Sequence, residues 1–176
     1  DKTTLTTETV YTISDGIWSI SALDDDNVIF GTSLGEIYQS KVSGFFTLNG
    51  SVAGSSDPIK HLHMHDESHW SATIEIDVYA TMDSGITWKT TFSIITSVTA
   101  EKAYISWYDN LVGYMIFGNL IYRTLDSGTT WKRIYSGLSG SAMESLSIQV
   151  SPSNPNIFMA AYAFDAASSQ TVKAFV

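Results

Sequence analysis

The chain has 176 residues, 44% of them apolar and 12% aromatic; that is the size of one ordinary domain with enough material for a core, and it excludes a disordered tail. A net charge of −9, with only nine Lys and Arg and no basic stripe, repels phosphate backbones and anionic lipid, so nucleic acid is excluded as a partner. No apolar run reaches the ~18 residues needed to cross a bilayer, so membrane insertion is not expected. There is no Cys, which removes disulfides and thiolate metal sites.

In chain order, residues 8–14 alternate as a strand should and stand apart from the first repeat unit. Two apolar runs, Ile17–Ala22 and Val28–Thr32, come next, separated by the polar turn Asp24-Asp25-Asp26-Asn27. That acidic turn lacks the spaced pattern of a dedicated calcium loop and reads as a solvated turn. A third run carries Ile37-Tyr38-Gln39-Ser40, and the chain then continues Lys41-Val42-Ser43-Gly44-Phe45-Phe46.

The same order repeats twice. Ile59–Met64 and Trp70–Ile74 flank Asp66-Glu67-Ser68, and they are followed by Val78-Tyr79-Ala80-Thr81. Residues 103–108 and Gly113–Phe117 flank Asp109-Asn110 and lead to Ile121-Tyr122-Arg123-Thr124. The three Tyr residues, Tyr38, Tyr79 and Tyr122, lie 41 and 43 residues apart, a period that marks an array of one repeated strand unit. A fourth unit opens with 145–150, a turn over 151–156, and runs 157–164 and 171–176. It lacks a fourth strand, and residues 8–14 are expected to supply it beside 171–176, closing the ring and removing its open edges. The absence of an initial Met is expected of a processed chain or an excised fragment.

At the end of the third run, two units carry one phrase: Thr81-Met82-Asp83-Ser84-Gly85-Ile86-Thr87-Trp88 and Thr124-Leu125-Asp126-Ser127-Gly128-Thr129-Thr130-Trp131. Asp accepts backbone N–H bonds in a tight turn, Gly takes φ > 0 without a Cβ clash, and Thr-Trp starts a strand whose indole folds under the loop. The phrase is therefore a hairpin staple. Its fixed positions are Thr81, Asp83, Gly85, Thr87 and Trp88, and again Thr124, Asp126, Gly128, Thr130 and Trp131. The pattern resembles the Asp-box (BNR) repeat, with a degenerate copy at 40–47 in which Val42 replaces the Asp.

That resemblance implies an all-β fold: a small β-propeller of four blades, each of four antiparallel strands, with the N-terminal strand closing the last blade. The expected blades of this single domain are 16–53, 57–96, 100–138, and 144–176 with 8–14. In the family the box sits at the rim, away from any central site, and it occurs in hydrolases, receptors, assembly factors and phage proteins. The family's sialidases clamp a substrate carboxylate with three arginines, whereas this chain has only Arg123 and Arg133. Hydrolysis by a carboxylate pair needs only two acids, but most of those present fall in turns or boxes, so no catalytic residues are assigned and the protein is not expected to be an enzyme.

All four histidines lie in His61-Leu62-His63-Met64-His65-Asp66-Glu67-Ser68-His69. On a strand, His61, His63 and His65 share one face while Leu62 and Met64 take the other. Two readings are open: a polar face lining the channel or a blade junction, and, less favoured, a transition-metal site. Otherwise no cofactor is expected. The leading functional expectation is a non-catalytic interaction or structural module with a protein partner in a larger assembly, extracellular or on a virion surface. The alternatives are a glycan-binding, lectin-like propeller and a fragment of a larger Asp-box glycoside hydrolase.

Overall fold

A computed structural model describes residues 12–42, 45–93, 103–117, 120–136, 143–164 and 169–175. These residues form four antiparallel sheets, three of four strands and one of three. The first blade is β1 (Ile17–Ala22), β2 (Val28–Thr32), β3 (Glu36–Val42) and β4 (Phe45–Ser51). The second is β5 (Ile59–Met64), β6 (Trp70–Ile74), β7 (Asp77–Thr81) and β8 (Lys89–Phe92). The third is β9 (Ala103–Trp107), β10 (Gly113–Phe117), β11 (Leu120–Thr124) and β12 (Lys132–Tyr135). The fourth is β13 (Met143–Ser151), β14 (Asn154–Phe164) and β15 (Ser169–Phe175). Each strand pairs with its sequence neighbours, so every blade is a meander, and the architecture is that of a small four-bladed β-propeller. The expected pairing of 8–14 with 171–176 falls partly on residues 8–11 and 176, which lie outside the described residues.

The first turns of the first three blades rely on one piece of chemistry. Asp24 Oδ1 accepts the N–H groups of Asp26 and Asn27 at 2.9 and 2.8 Å. Asp66 Oδ1 accepts those of Ser68 and His69 at 2.7 and 2.8 Å, and Asp109 Oδ1 those of Leu111 and Val112 at 2.8 and 2.6 Å. Acids that alone resemble candidate catalysts are thus spent as Asx-turn acceptors. Hydrogen bonds from Asn27 and Asp26 lower the proton affinity of Asp24 below the ordinary carboxylate value.

The Thr, Asp and Gly positions of the two boxes adopt one geometry, while the Trp131 Nε1, unlike that of Trp88, is buried without a hydrogen-bond partner. Thr81 Oγ1 donates to Asp83 Oδ1 at 2.7 Å and accepts the Gly85 N–H at 3.0 Å, while Thr87 donates its N–H to Asp83 Oδ1 at 2.8 Å and its hydroxyl to Oδ2 at 2.5 Å. In the other copy the corresponding distances are 2.8, 3.0, 2.8 and 2.6 Å. Each box is also tied to its own blade's first turn, where Ser84 donates Oγ to the Glu67 carbonyl and Ser127 to that of Asn110. The Trp88 indole folds back to donate to the Gly85 carbonyl at 3.0 Å.

The core does not lie within blades but between them, as three wedges. Ile29, Ile37 and Val52 of the first blade meet Ile59, Leu62, Met64 and Trp70 of the second. Val78 meets Ala103, Ile105, Met115 and Phe117 at the next junction. Tyr114, Ile116 and Ile121 meet Ile148, Val150, Phe158 and Ala160 at the third. Polar latches cross these wedges near the axis. Ser19 Oγ donates to the Ile59 carbonyl, and Ser21 and Ser106 hydroxyls accept the N–H groups of Met64 and Val150, all at 3.0 Å.

Gly85 shows how tightly the box is seated. It holds φ +82°, and a Cβ there would fall 2.7 Å from the Trp70 ring and 2.6 Å from Asn49 Nδ2. Gly54 has a similar φ of +73° with nothing within 4 Å. Gly85→Ala is therefore expected to cost roughly 2–4 kcal/mol, combining left-handed strain with overpacking, and Gly54→Ala only the strain of about 1 kcal/mol. Urea denaturation of the two variants checks this ranking; equal losses would contradict it.

Candidate functional site: the axial cavity

The innermost strands β1, β5, β9 and β13 carry equivalent positions 42–43 residues apart, so one level of the axis is lined by the same place in each repeat. At that level lies a cavity of about 310 Å³. Trp18 comes from β1, Lys60 and His61 from β5, Ala103, Tyr104 and Ile105 from β9, and Ser147 and Ile148 from β13. The volume is at the lower end of the range for small-ligand sites, enough for one side chain or one small ring.

The wall is apolar and aromatic with few polar points. Lys60 Nζ lies 4.0 Å from the centre of the Trp18 ring, a cation–π contact, and 3.9 Å from Glu75 Oε1. Trp18 remains half-exposed. His61 is held neutral by burial, which lowers its pKa to about 4, and its Nε2 is buried without a hydrogen-bond partner. None of the lining residues is a carboxylate. The cavity is therefore lined by one cation, a neutral imidazole, a Trp, and the hydroxyl-bearing residues Tyr104 and Ser147, a set suited to holding an acceptor-bearing group with an apolar stem.

The other histidines have different work. Leu62 and Met64 pack toward the first blade, as the strand alternation predicts, and the histidine face turns toward the third. The His63 ring stacks on Trp107 with centroids 5.4 Å apart, and His65 meets the same indole edge-on at 4.2 Å. His65 Nε2 lies 3.2 Å from Ser71 Oγ. Burial lowers the pKa of His63 to about 4 and of His65 to about 3, with His61 and His63 respectively adding repulsion.

Among the described residues no group of three His, Asp or Glu side chains is placed to hold a metal ion. The metal alternative for His61, His63 and His65 thus finds no support, for a physical reason: His61 turns to the axis while His63 and His65 are flanked by an indole. His61 lines the axial cavity, and His63 and His65 lie at the junction with the third blade. His69 instead closes its own turn, with Nδ1 2.5 Å from Asp66 Oδ2. Desolvation opposes ionisation of Asp66, but hydrogen bonds from His69 and Ser68 outweigh it and hold the carboxyl well below its ordinary range.

The box residues lie at the rim ends of β7 and β11 and take no part in the cavity, whose lining includes none of them. Among the lining residues, the histidine run in the sequence marks His61 but not Lys60, Tyr104 or Ser147. The signal that finds Tyr104 and Ser147 is the repeat itself, since Ser19, His61, Tyr104 and Ser147 are equivalent positions spaced 42, 43 and 43 residues apart.

No family model matches the chain, and no curated protein matches it. Solved structures do. An ancestral GH74 enzyme aligns with a TM-score of 0.70 at 18% identity, over 91% of this chain and 25% of that one. A structure of YCF48 bound to D1 peptide aligns with a TM-score of 0.61 at 16% identity, over 90% of this chain and 54% of that one. PorZ of Porphyromonas gingivalis, an essential surface component of the type-IX secretion system, aligns with a TM-score of 0.59 at 12% identity, over 94% and 22%. The chain spans about a quarter of the GH74 enzyme and about half of YCF48. At these identities the likeness establishes the β-propeller fold.

Proposed function

We propose that this propeller is a non-catalytic interaction module that holds a short segment of a protein partner in its axial cavity. The observation that carries the reading is a pocket built jointly by four innermost strands, aromatic and singly cationic, with no carboxylate in its wall. Acid–base hydrolysis requires two carboxyl groups facing one bond, and the acids Asp24, Asp66, Asp83, Asp109 and Asp126 act instead as turn acceptors. YCF48, a fold neighbour, is bound to a peptide, and PorZ is a surface component of a secretion system; both support a protein partner.

The resemblance of the two turns to the Asp-box repeat is supported by their matching geometry. An extracellular or virion-surface setting, in a larger assembly, is proposed on the Ser/Thr/Gly/Asn-rich, Lys-poor composition. A glycan is the second reading, favoured by one feature: the half-exposed Trp18 ring at the cavity offers a stacking face for a sugar. The third, part of a glycoside hydrolase, draws on the partial overlap with the GH74 enzyme.

The test is binding of the chain to arrays of short peptides and of glycans, followed by titration of the best ligand against Trp18→Ala, Lys60→Ala and His61→Phe. The expected result is a peptide ligand whose affinity falls tenfold or more in these variants. Glycan capture with the same dependence would select the second reading. Turnover of a β-glucan that disappears when a carboxyl pair is neutralised would overturn the non-catalytic reading.

A further inference from the structure

Both arginines of the chain, Arg123 and Arg133, lie with Lys132 on the two outer strands of the third blade, β11 and β12. In register, Arg123 stands opposite Lys132 and Tyr122 opposite Arg133. The equivalent pairs of the second blade are Ala80 with Lys89 and Tyr79 with Thr90, and those of the first are Gln39 with Thr47 and Tyr38 with Leu48. The repeat therefore forms with at most one charge at these four places, whereas the third blade carries three of one sign.

Two like charges directly opposite each other on antiparallel strands stand with Cβ atoms about 5 Å apart and weaken the pairing. A nearby acid would relieve them, yet among the described residues the ion pairs are Lys60 with Glu75 and His69 with Asp66, and none of the three cations takes part. Arg123 is braced in place. Its guanidinium lies 5.5 Å from the centre of the Tyr114 ring, the Tyr114 hydroxyl donates to the Pro155 carbonyl of the fourth blade, and the Arg123 Nε is buried without a hydrogen-bond partner. Lys132 and Arg133 are exposed. A Lys on an outer strand also keeps that edge from pairing with another chain, but Lys89 does this on β8 beside a neutral neighbour, and Arg123 is not on the edge strand.

We propose that the Arg123–Lys132 pair is a carboxylate-binding site on the outside of the third blade, where an Asp or Glu side chain of an acidic protein segment docks. The guanidinium, planar and held against Tyr114, offers donors in the fork geometry from which a carboxylate accepts two hydrogen bonds at once. Lys132, opposite it, adds a second cation to the same anion. Arg133 follows on β12 with its side chain on the other face, beside Tyr122, so a segment crossing the edge of β12 meets cations on both sides. A protein carboxylate fits this site better than a polyanion does. The net charge of −9 repels a long run of phosphate or sulfate, whereas a single carboxylate is met at short range by the local cations. The site shares no residue with the axial cavity and is independent of what that cavity holds.

The experiment uses the small number of arginines, since Arg123 and Arg133 alone give Nε–H signals in a proton–nitrogen NMR spectrum of the arginine side chains. The probes are a peptide of alternating Glu and Ser, the same peptide with Gln in place of Glu, and a sulfated heparin disaccharide. The Arg123 signal is expected to shift saturably with the Glu peptide and to stay in place with the Gln peptide. Arg123→Gln and Lys132→Gln are each expected to weaken binding of the labelled Glu peptide, read by fluorescence anisotropy, by about tenfold or more, and Lys132→Glu to abolish it. Circular dichroism and melting serve as the folding control, and the two Lys132 variants, at an exposed position, keep the test decisive if Arg123→Gln fails it. An Arg123 signal unmoved by the Glu peptide, an equal response to the Gln peptide, or unchanged affinity in the folded Lys132 variants would each overturn the proposal. Tighter binding of the heparin disaccharide than of the Glu peptide would also overturn it and assign the surface to a sulfated glycan.

Discussion

Trp70→Ala is expected to be the most damaging single substitution in the second blade, costing about 3–5 kcal/mol in a urea or guanidinium titration. The indole is fully buried, packs with Leu62, Met64 and Ile29 in the first junction, and forms the floor on which Gly85 rests. Trp88, which the repeat pattern alone makes the anchor, is half-buried, and its ring lies 6.5 Å from that of Trp70. Its removal should cost less, about 1–3 kcal/mol, because part of its surface already faces water. A larger loss at Trp88 than at Trp70 would refute this account of the junction.

Acid is expected to weaken the fold well before the carboxylates titrate. His61, His63 and His65 are buried neutral with pKa values lowered to about 4, 4 and 3, whereas an unfolded chain protonates them near 6.5. Between these limits the unfolded state binds more protons, so stability is complete above pH 6.5, falls as the pH drops toward 4, and levels off below the folded values. At pH 5 a single such histidine accounts for roughly 2 kcal/mol, and three coupled ones do not simply add. His63→Phe should flatten this part of the profile while keeping the stack on Trp107. The carboxyls of Asp66, Asp83 and Asp126, all lowered by hydrogen bonds, give a separate loss below their ordinary value of 3.8. Equal denaturation midpoints at pH 7 and pH 5 would exclude the histidine contribution.

A comparison of the second and third blades shows why some of this is hidden from sequence. Under the box of the second blade, Trp70 comes from β6 and stands opposite Met64 of β5. In the third, the ring is Trp107 of β9, and its partner across the ladder is Gly113, where a Cβ would fall 2.5 Å from the indole. The same space is filled from different strands, with the partner shrinking to fit, so neither Trp falls at the period that aligns the boxes. Close packing conserves volume at a junction and leaves open which strand supplies it.

The sequence by itself determined the local layer of this protein. The bounds of β1, β2, β5, β6 and β10, the Asp-led turns and both boxes are legible because each depends on residues within a few positions of one another, through alternation, Asx acceptance and the φ > 0 of Gly85 and Gly128. The period of 41–43 residues then sets how many such units succeed one another in the chain. Tertiary structure alone decided which strand faces meet. It turned His61 to the axis and His63 and His65 to Trp107, and joined Trp18, Lys60, Tyr104 and Ser147 around one cavity. Those contacts join residues about 40 or more positions apart, and their energy comes from shape and burial between blades, which no local pattern encodes.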